Sequence, residues 1–229
     1  MIVKLISPET EYPPYVYVGS AAAITRGVTF DEFLKWPEEK QKGMVKQCYD
    51  SGHWSVFEFV TFDFEVQNVS RVFETQAVRS RLCSYEWESG RHDQQYRPAD
   101  AAEDAGLGKH ITYHITDYDA VVQDEWTPAE LARYVLPQGV ARKGRICRNF
   151  RNLMETALNR MCSKTQQEYR EFMQHVKEAI TERDPFLADF LVPKCKWYGY
   201  CNEKDGCGAA PHKGNVFSVY KLYNDSVES

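Results

Sequence analysis

From Phe59 to Gln67 the chain alternates with a period of two. Val60, Phe62, Phe64 and Val66 are apolar, and Thr61, Asp63, Glu65 and Gln67 between them are polar. Successive strand side chains point to opposite faces, so this segment buries only one of them. Such alternation predicts an antiparallel sheet covered on one side. Ile2 to Ile6 reads as a further short strand, and Tyr12 to Tyr17, with its paired prolines, as a loop. Helix signals surround them. Thr29-Phe30-Asp31-Glu32 matches a capping box, and Pro37 to Asp50 reads as a helix that begins at proline and stops at Ser51-Gly52. Ser70 predicts a cap for a helix running to about Arg81, with Gln76 and Arg79 one turn apart near its end. Arg97 to Gly108 reads as a mobile polar loop, and Thr127-Pro128-Ala129-Glu130 as a capping box whose helix stops before Pro137. Ile146 to Glu182 is the longest helical pattern. Ile146, Phe150, Leu153, Ala157 and Met161 form its core stripe; Asn149, Thr156 and Arg160 form one polar line, and Arg151, Glu155 and Asn159 another. These elements predict one α+β domain over residues 1–229, with a cysteine-containing tail from about 193.

The segment Gln76 to Arg91, QAVRSRLCSYEWESGR, concentrates three arginines in a chain of formal net charge −5. Guanidinium forks suit phosphate, and the acidic balance elsewhere points to a small phosphorylated ligand rather than to a nucleic-acid backbone. A solvated helix end is the plainer reading of the same charges. With no apolar run of about 18 residues, no membrane span is expected. Met1 to Leu5, with Ser7-Pro8-Glu9 close behind, does not read as a signal or transit peptide, and the seven scattered cysteines read as reduced thiols of a cytoplasmic protein.

Several segments, taken in order, resemble the flavin-dependent thymidylate synthases (the ThyX family). That family's signature is Arg-His-Arg, seven residues, then Ser; here Arg79-Ser80-Arg81 is followed by seven residues and Ser89. Gln76 stands three positions before the first arginine. Gly52-His53-Trp54-Ser55-Val56-Phe57-Glu58 is similar to the family's GHxSxFE segment, and Ala132-Arg133-Tyr134-Val135-Leu136-Pro137 to its ARxxLP element. Asn149-Phe150-Arg151, Arg160, Gln166 and Glu168 fall at the spacing of its last signature helix. The likeness spans roughly residues 20 to 175.

The resemblance implies an α+β fold with a helix-flanked antiparallel sheet, assembled as a homotetramer with sites between subunits. It implies conversion of dUMP to dTMP, with methylenetetrahydrofolate as carbon donor and FAD, reduced by NADPH, as hydride source. No side-chain nucleophile is then needed, because the flavin carries the hard chemistry and protein groups orient and polarise. By the same resemblance Arg160 is the catalytic arginine at the uracil edge. Ser89, Gly90, Arg91 and Arg133 hold the nucleotide, and Gln76 and Arg79 reach it from a neighbouring subunit. Arg79, Ser80, Arg81, Asn149, Arg151 and Glu155, with His53, Ser55 and Glu58, line the flavin. Cys83 is expected to be buried packing without a catalytic role, and no nucleic-acid or membrane partner is implied.

The chain departs from the pattern at Ser80, in place of the signature histidine, and at Trp87, His92, Glu155 and Lys164. Trp87 and His92 bracket the presumed nucleotide segment. One alternative is therefore a related C5 methyl- or hydroxymethyltransferase acting on another pyrimidine deoxynucleotide such as dCMP. Another is a non-catalytic nucleotide- or RNA-binding protein. Cys195, Cys201, Cys207 and His212 lack paired CxxC spacing, so a thiol tail is expected rather than a metal site.

Overall fold

In the computed structural model, which describes residues 1–7, 9–89, 95–123 and 126–213, the alternating segment lies inside a four-stranded antiparallel sheet. In chain order the strands are β1 (Ile2–Ser7), β2 (Thr61–Ser70), β3 (Cys83–Trp87) and β4 (Ala141–Asn149); across the sheet they run β1, β2, β4, β3. The helices are α1 (Pro14–Ala23), α2 (Phe30–Leu34), α3 (Glu38–Asp50), α4 (Arg71–Ala77), α5 (Asp100–Asp104), α6 (Gly108–Val122), α7 (Ala129–Ala132), α8 (Phe150–Arg160), α9 (Gln167–Arg183), α10 (Pro185–Ala188) and α11 (Lys194–Tyr198).

Phe62, Phe64 and Val66 are fully buried and join α1, α8 and α9 in the main core. Register sets which residues share that inner face. Phe62 lies opposite Arg148, Phe64 and Tyr85 opposite Ile146, and Trp87 opposite Gly144. On the outer face Arg145 forms an ion pair with Asp63. A second, smaller cluster gathers Ile115, Tyr118, Ala132, Leu136 and Val140.

The caps follow sequence chemistry. The Thr29 hydroxyl accepts from the Glu32 amide while Glu32 takes the Thr29 amide at 2.8 Å, completing the capping box. Ser70 Oγ accepts from the Phe73 amide at 3.1 Å, and Asn149 Oδ1 from the Asn152 amide at 2.8 Å.

Six local expectations are corrected. Tyr15 to Tyr17 are helical, because Pro14 starts α1 in the first turn, where N–H groups have no intrahelical partner to lose. Phe59 belongs to a 3₁₀ turn (Trp54–Phe59) rather than to the strand, and is 73% exposed. The helix after Ser70 ends at Ala77, where the Tyr85 hydroxyl donates to the Ala77 carbonyl at 2.6 Å and satisfies a group left open by the last turn. Residues 97–108 are not a loop: Ala99 and Ala102 are buried around α5, and the Ala99 amide donates to the Gly139 carbonyl. Helix α7 starts behind Pro128, which has no side-chain oxygen, so Thr127 is not its cap. The long pattern from Ile146 divides into a strand end and two helices. Extended backbone at Asn149 ends β4 and caps α8, and residues 161–166 separate α8 from α9.

Candidate active site

The turn that follows α4 and one side of α8 enclose a groove of about 450 Å³, lined by Arg79, Ser80, Arg81, Leu82, Asn152, Glu155, Thr156, Asn159 and Arg160. The turn is held from behind. Tyr85 Oη lies 3.2 Å from the Ser80 carbonyl, and Asn152 Nδ2 donates to the Arg81 carbonyl at 3.0 Å. Leu82 takes a left-handed φ of 60° and is 88% exposed. A non-glycine residue in that region costs about 1–2 kcal/mol, so surrounding contacts hold this turn against its own preference. Arg79 and Arg81 are exposed, and among the described residues neither guanidinium has a carboxylate partner.

Arg160, at the end of α8, is fixed from two directions. Its Nη1 donates to Gln76 Oε1 at 3.1 Å, and its guanidinium carbon lies 4.6 Å from the centroid of the Tyr169 ring. Gln76 in turn donates through Nε2 to Gln166 Oε1 at the start of α9. Opposite it on the groove, Glu155 accepts from Arg151 Nε at 2.9 Å, and Arg151 Nη1 reaches Glu58 Oε1 at 2.7 Å. Hydrogen bonds to Glu155 and then to Glu58 push the Arg151 guanidinium above its ordinary pKa. The groove therefore offers cations whose charge is unspent and a planar donor already aimed. That is the electrostatic shape of a site for a phosphate-bearing ligand with a polarisable ring.

The profile of the family described as "Thymidylate synthase complementing protein" matches residues 15–186. The chain belongs to that family. Three relatives, each named flavin-dependent thymidylate synthase, show how far the similarity extends. The protein of Sulfurisphaera tokodaii is 30% identical over 205 residues, covering 85% of this chain and 79% of its own. That of Pyrococcus furiosus is 31% identical over 192 residues, covering 76% and 78%. That of Nitratidesulfovibrio vulgaris is 29% identical over 191 residues, again 76% and 78%.

Within this family member, the sequence-predicted residues divide among several places. Gln76, Arg79, Ser80, Arg81, Glu155 and Arg160 meet at the groove, with Arg151 and Glu58 tied to its edge. Gln76 and Arg79, expected to reach the nucleotide from a neighbouring subunit, lie beside Arg160 of their own chain. Asn149 caps α8 beneath the groove. His53 and Ser55 line another cavity, of about 340 Å³, with Arg26, Gln47 and Cys48 between α1 and α3. Arg133 sits in a 3₁₀ turn (Arg133–Val135) beside the smaller core cluster and does not line the groove. Ser89 is exposed just past β3, and Gly90, Arg91 and His92 lie outside the described residues.

The departures also find places. Trp87 faces inward, its ring 6.2 Å from that of Phe73, and fills the space above Gly144. Lys164 is exposed in the turn between α8 and α9. Cys83 is half-buried rather than buried, with Sγ 3.0 Å from Asn152 Oδ1. All seven cysteines are free, and Cys201 pairs with His212 through a backbone bridge. Among the described residues no three of His, Cys, Asp and Glu converge as metal ligands, and no helix is long and apolar enough to cross a membrane.

Sequence reading missed Tyr85, Asn152, Tyr169 and Arg148, which shape the groove from behind. For Arg148 the signal was the period-two order Arg142, Gly144, Ile146, Arg148, which a helical reading of Ile146 onward conceals.

Proposed function

We propose that the groove beside α8 is the nucleotide- and flavin-binding half of a flavin-dependent thymidylate synthase site, in a chain that converts dUMP to dTMP with methylenetetrahydrofolate as carbon donor and NADPH as source of reducing equivalents. The observation that carries this reading is Arg160, held between Gln76 and the Tyr169 ring, in one groove with the guanidiniums of Arg79 and Arg81, which have no carboxylate partner among the described residues. Reduced FAD, when bound, supplies the hydride. The residues present fit it: two exposed arginines on a strained turn suit its anionic and oxygen-rich edges, and Ser80 leaves room between them. Arg160 orients the uracil edge and stabilises negative charge developing on the ring, since a guanidinium stays cationic throughout. Gln76 fixes the plane of that guanidinium, and Arg79 binds the nucleotide from the same groove.

The remaining nucleotide and flavin residues, Ser89, Gly90, Arg91, Arg133, His53 and Ser55, belong in this reading to neighbouring copies of the chain in a homotetramer. That Arg133, His53 and Ser55 do not line the groove supports sites completed between subunits, as do the exposed Val78 and Leu82 beside it. Trp87 faces the core and gives no support to a changed nucleotide. The proposed setting is the cytoplasm, where seven thiols stay reduced.

The test is FAD titration of the purified protein, followed by its flavin absorbance. Stoichiometric binding is expected, and Arg81→Ala should weaken it roughly 10- to 100-fold, the loss of one charge-assisted contact. Folded protein that takes up no flavin defeats the reading.

A further inference from the structure

Two arginines of β4 point to the apolar face of the sheet, and they are treated differently. Arg142 is compensated: its Nε donates to Glu74 Oε2 at 3.0 Å, and Glu88 Oε1 lies 3.7 Å from Nη1. Arg148 is 1% exposed, and among the described residues no carboxylate pairs with it. Its partners are neutral. Nη1 donates to Thr156 Oγ1 at 3.1 Å; Nη2 faces Tyr85 Oη and Tyr169 Oη, each at 3.1 Å, and the Ala77 carbonyl at 3.4 Å; Nε has no partner among the described residues. Burial holds the Tyr85 phenol above its ordinary pKa, so it offers a hydroxyl rather than a counter-charge. A buried cation without a counter-ion costs stability, and an apolar residue of similar volume would commonly be tolerated better.

What the charge touches is the back of the groove. Ala77 ends α4 immediately before the turn carrying Arg79 and Arg81, and Tyr85 grips both ends of that turn. Thr156 lines the groove, and the ring of Tyr169 carries Arg160 on its face while its hydroxyl meets Arg148. We propose that Arg148 is a positioning residue of this groove: it holds the Ala77–Arg81 turn and the Tyr169–Arg160 stack in register, and its uncompensated charge behind the wall strengthens binding of phosphate-bearing ligands. The inference rests on the reading of the groove as a nucleotide site. Buried in low dielectric, the charge acts on an anion several ångströms away with little screening by salt.

The experiment compares the full-length protein with Arg148→Met, Arg148→Gln and Arg148→Lys, using ligand-free thermal unfolding and calorimetric titration with dUMP and with deoxyuridine, which lacks the phosphate. Arg148→Met is expected to melt no lower than the parent, while its preference for dUMP over deoxyuridine falls about ten-fold, the size of one buried charge acting at this range. Lysine at 148 keeps the charge and should restore most of that preference. If Arg148→Met does not fold, Arg148→Gln, which retains amide donors for Thr156 and the tyrosines, carries the same ratio test. An unchanged ratio, or a lower melting temperature with equal weakening of both ligands, makes Arg148 a packing element and overturns the proposal. A parent that binds neither dUMP nor FAD defeats the functional reading instead.

Discussion

Arg160 Nη1 donates to Gln76 Oε1 at 3.1 Å, joining the last turn of α8 to the last turn of α4 across 84 positions of sequence. The contact turns a flexible guanidinium into a donor of fixed plane, the property required of a group that stabilises charge on a flat ring. Gln76→Ala should leave the fold intact and lower kcat about ten-fold or more, as expected for losing a hydrogen bond to a charged group. Arg160→Lys, which keeps charge and loses the fork, should lower it roughly 100-fold. Steady-state dTMP formation measures both, and near-parental turnover in Arg160→Lys would remove the catalytic assignment.

Mixing experiments distinguish residues of one groove from residues of different subunits. Arg79 and Arg160 line the same groove, so mixed Arg79→Ala and Arg160→Ala chains should stay inactive. Arg133 lies elsewhere, and mixed Arg133→Ala and Arg160→Ala chains should regain a fraction of parental activity in an assembly of about four chains by sedimentation. Activity in a monomer would contradict shared sites.

Glu168 is 3% exposed and accepts from the Ser70 amide at 2.6 Å and from Ser70 Oγ at 2.5 Å, tying α9 to the start of α4. Burial raises its pKa above the ordinary value of 4.5, against the lowering effect of those hydrogen bonds. The folded state therefore binds this proton more tightly than the unfolded state. Its contribution to stability is fully present below about 4.5 and is lost as pH rises through the raised value. Glu168→Gln cannot ionise, so its stability relative to the parent should improve steadily over that window. Urea unfolding at several pH values measures the difference; a pH-independent difference would show that Glu168 is not shifted upward.

Gly144 is required by its neighbours across the sheet. A Cβ there would lie 2.5 Å from the Glu86 carbonyl oxygen and 2.5 Å from the Trp87 ring. Gly144→Ala should cost about 1–3 kcal/mol by overpacking. Trp87→Glu strips a large ring from Phe73 and should cost about 3 kcal/mol or more, with little change in dUMP affinity once folded. A stable Trp87→Glu protein with altered nucleotide selectivity would instead place position 87 at the nucleotide.

What the sequence by itself determined was one clear strand alternation and two helix caps. The alternation around Phe62 to Val66 specified a one-sided antiparallel strand, Thr29 and Ser70 specified helix starts, and signature spacing selected Gln76, Arg79, Ser80, Arg81, Glu155 and Arg160, which meet at the groove. Those features are local: side-chain direction in a strand and free amides at a helix end depend on a few neighbouring residues. Tertiary structure decided the rest. Whether Ile146 was strand or helix depended on pairing with Phe64 and Tyr85, which are 82 and 61 positions away. Where α4 stopped depended on the Tyr85 hydroxyl reaching the Ala77 carbonyl, and Trp87 went to the core because β3 presents alternate residues inward beside Phe73. Arg148 is the clearest case. As a letter it is one more surface cation, and only the register of β4 turns it into a buried charge beneath the groove, since inward or outward on a strand is fixed by the partner strand rather than by the residue itself.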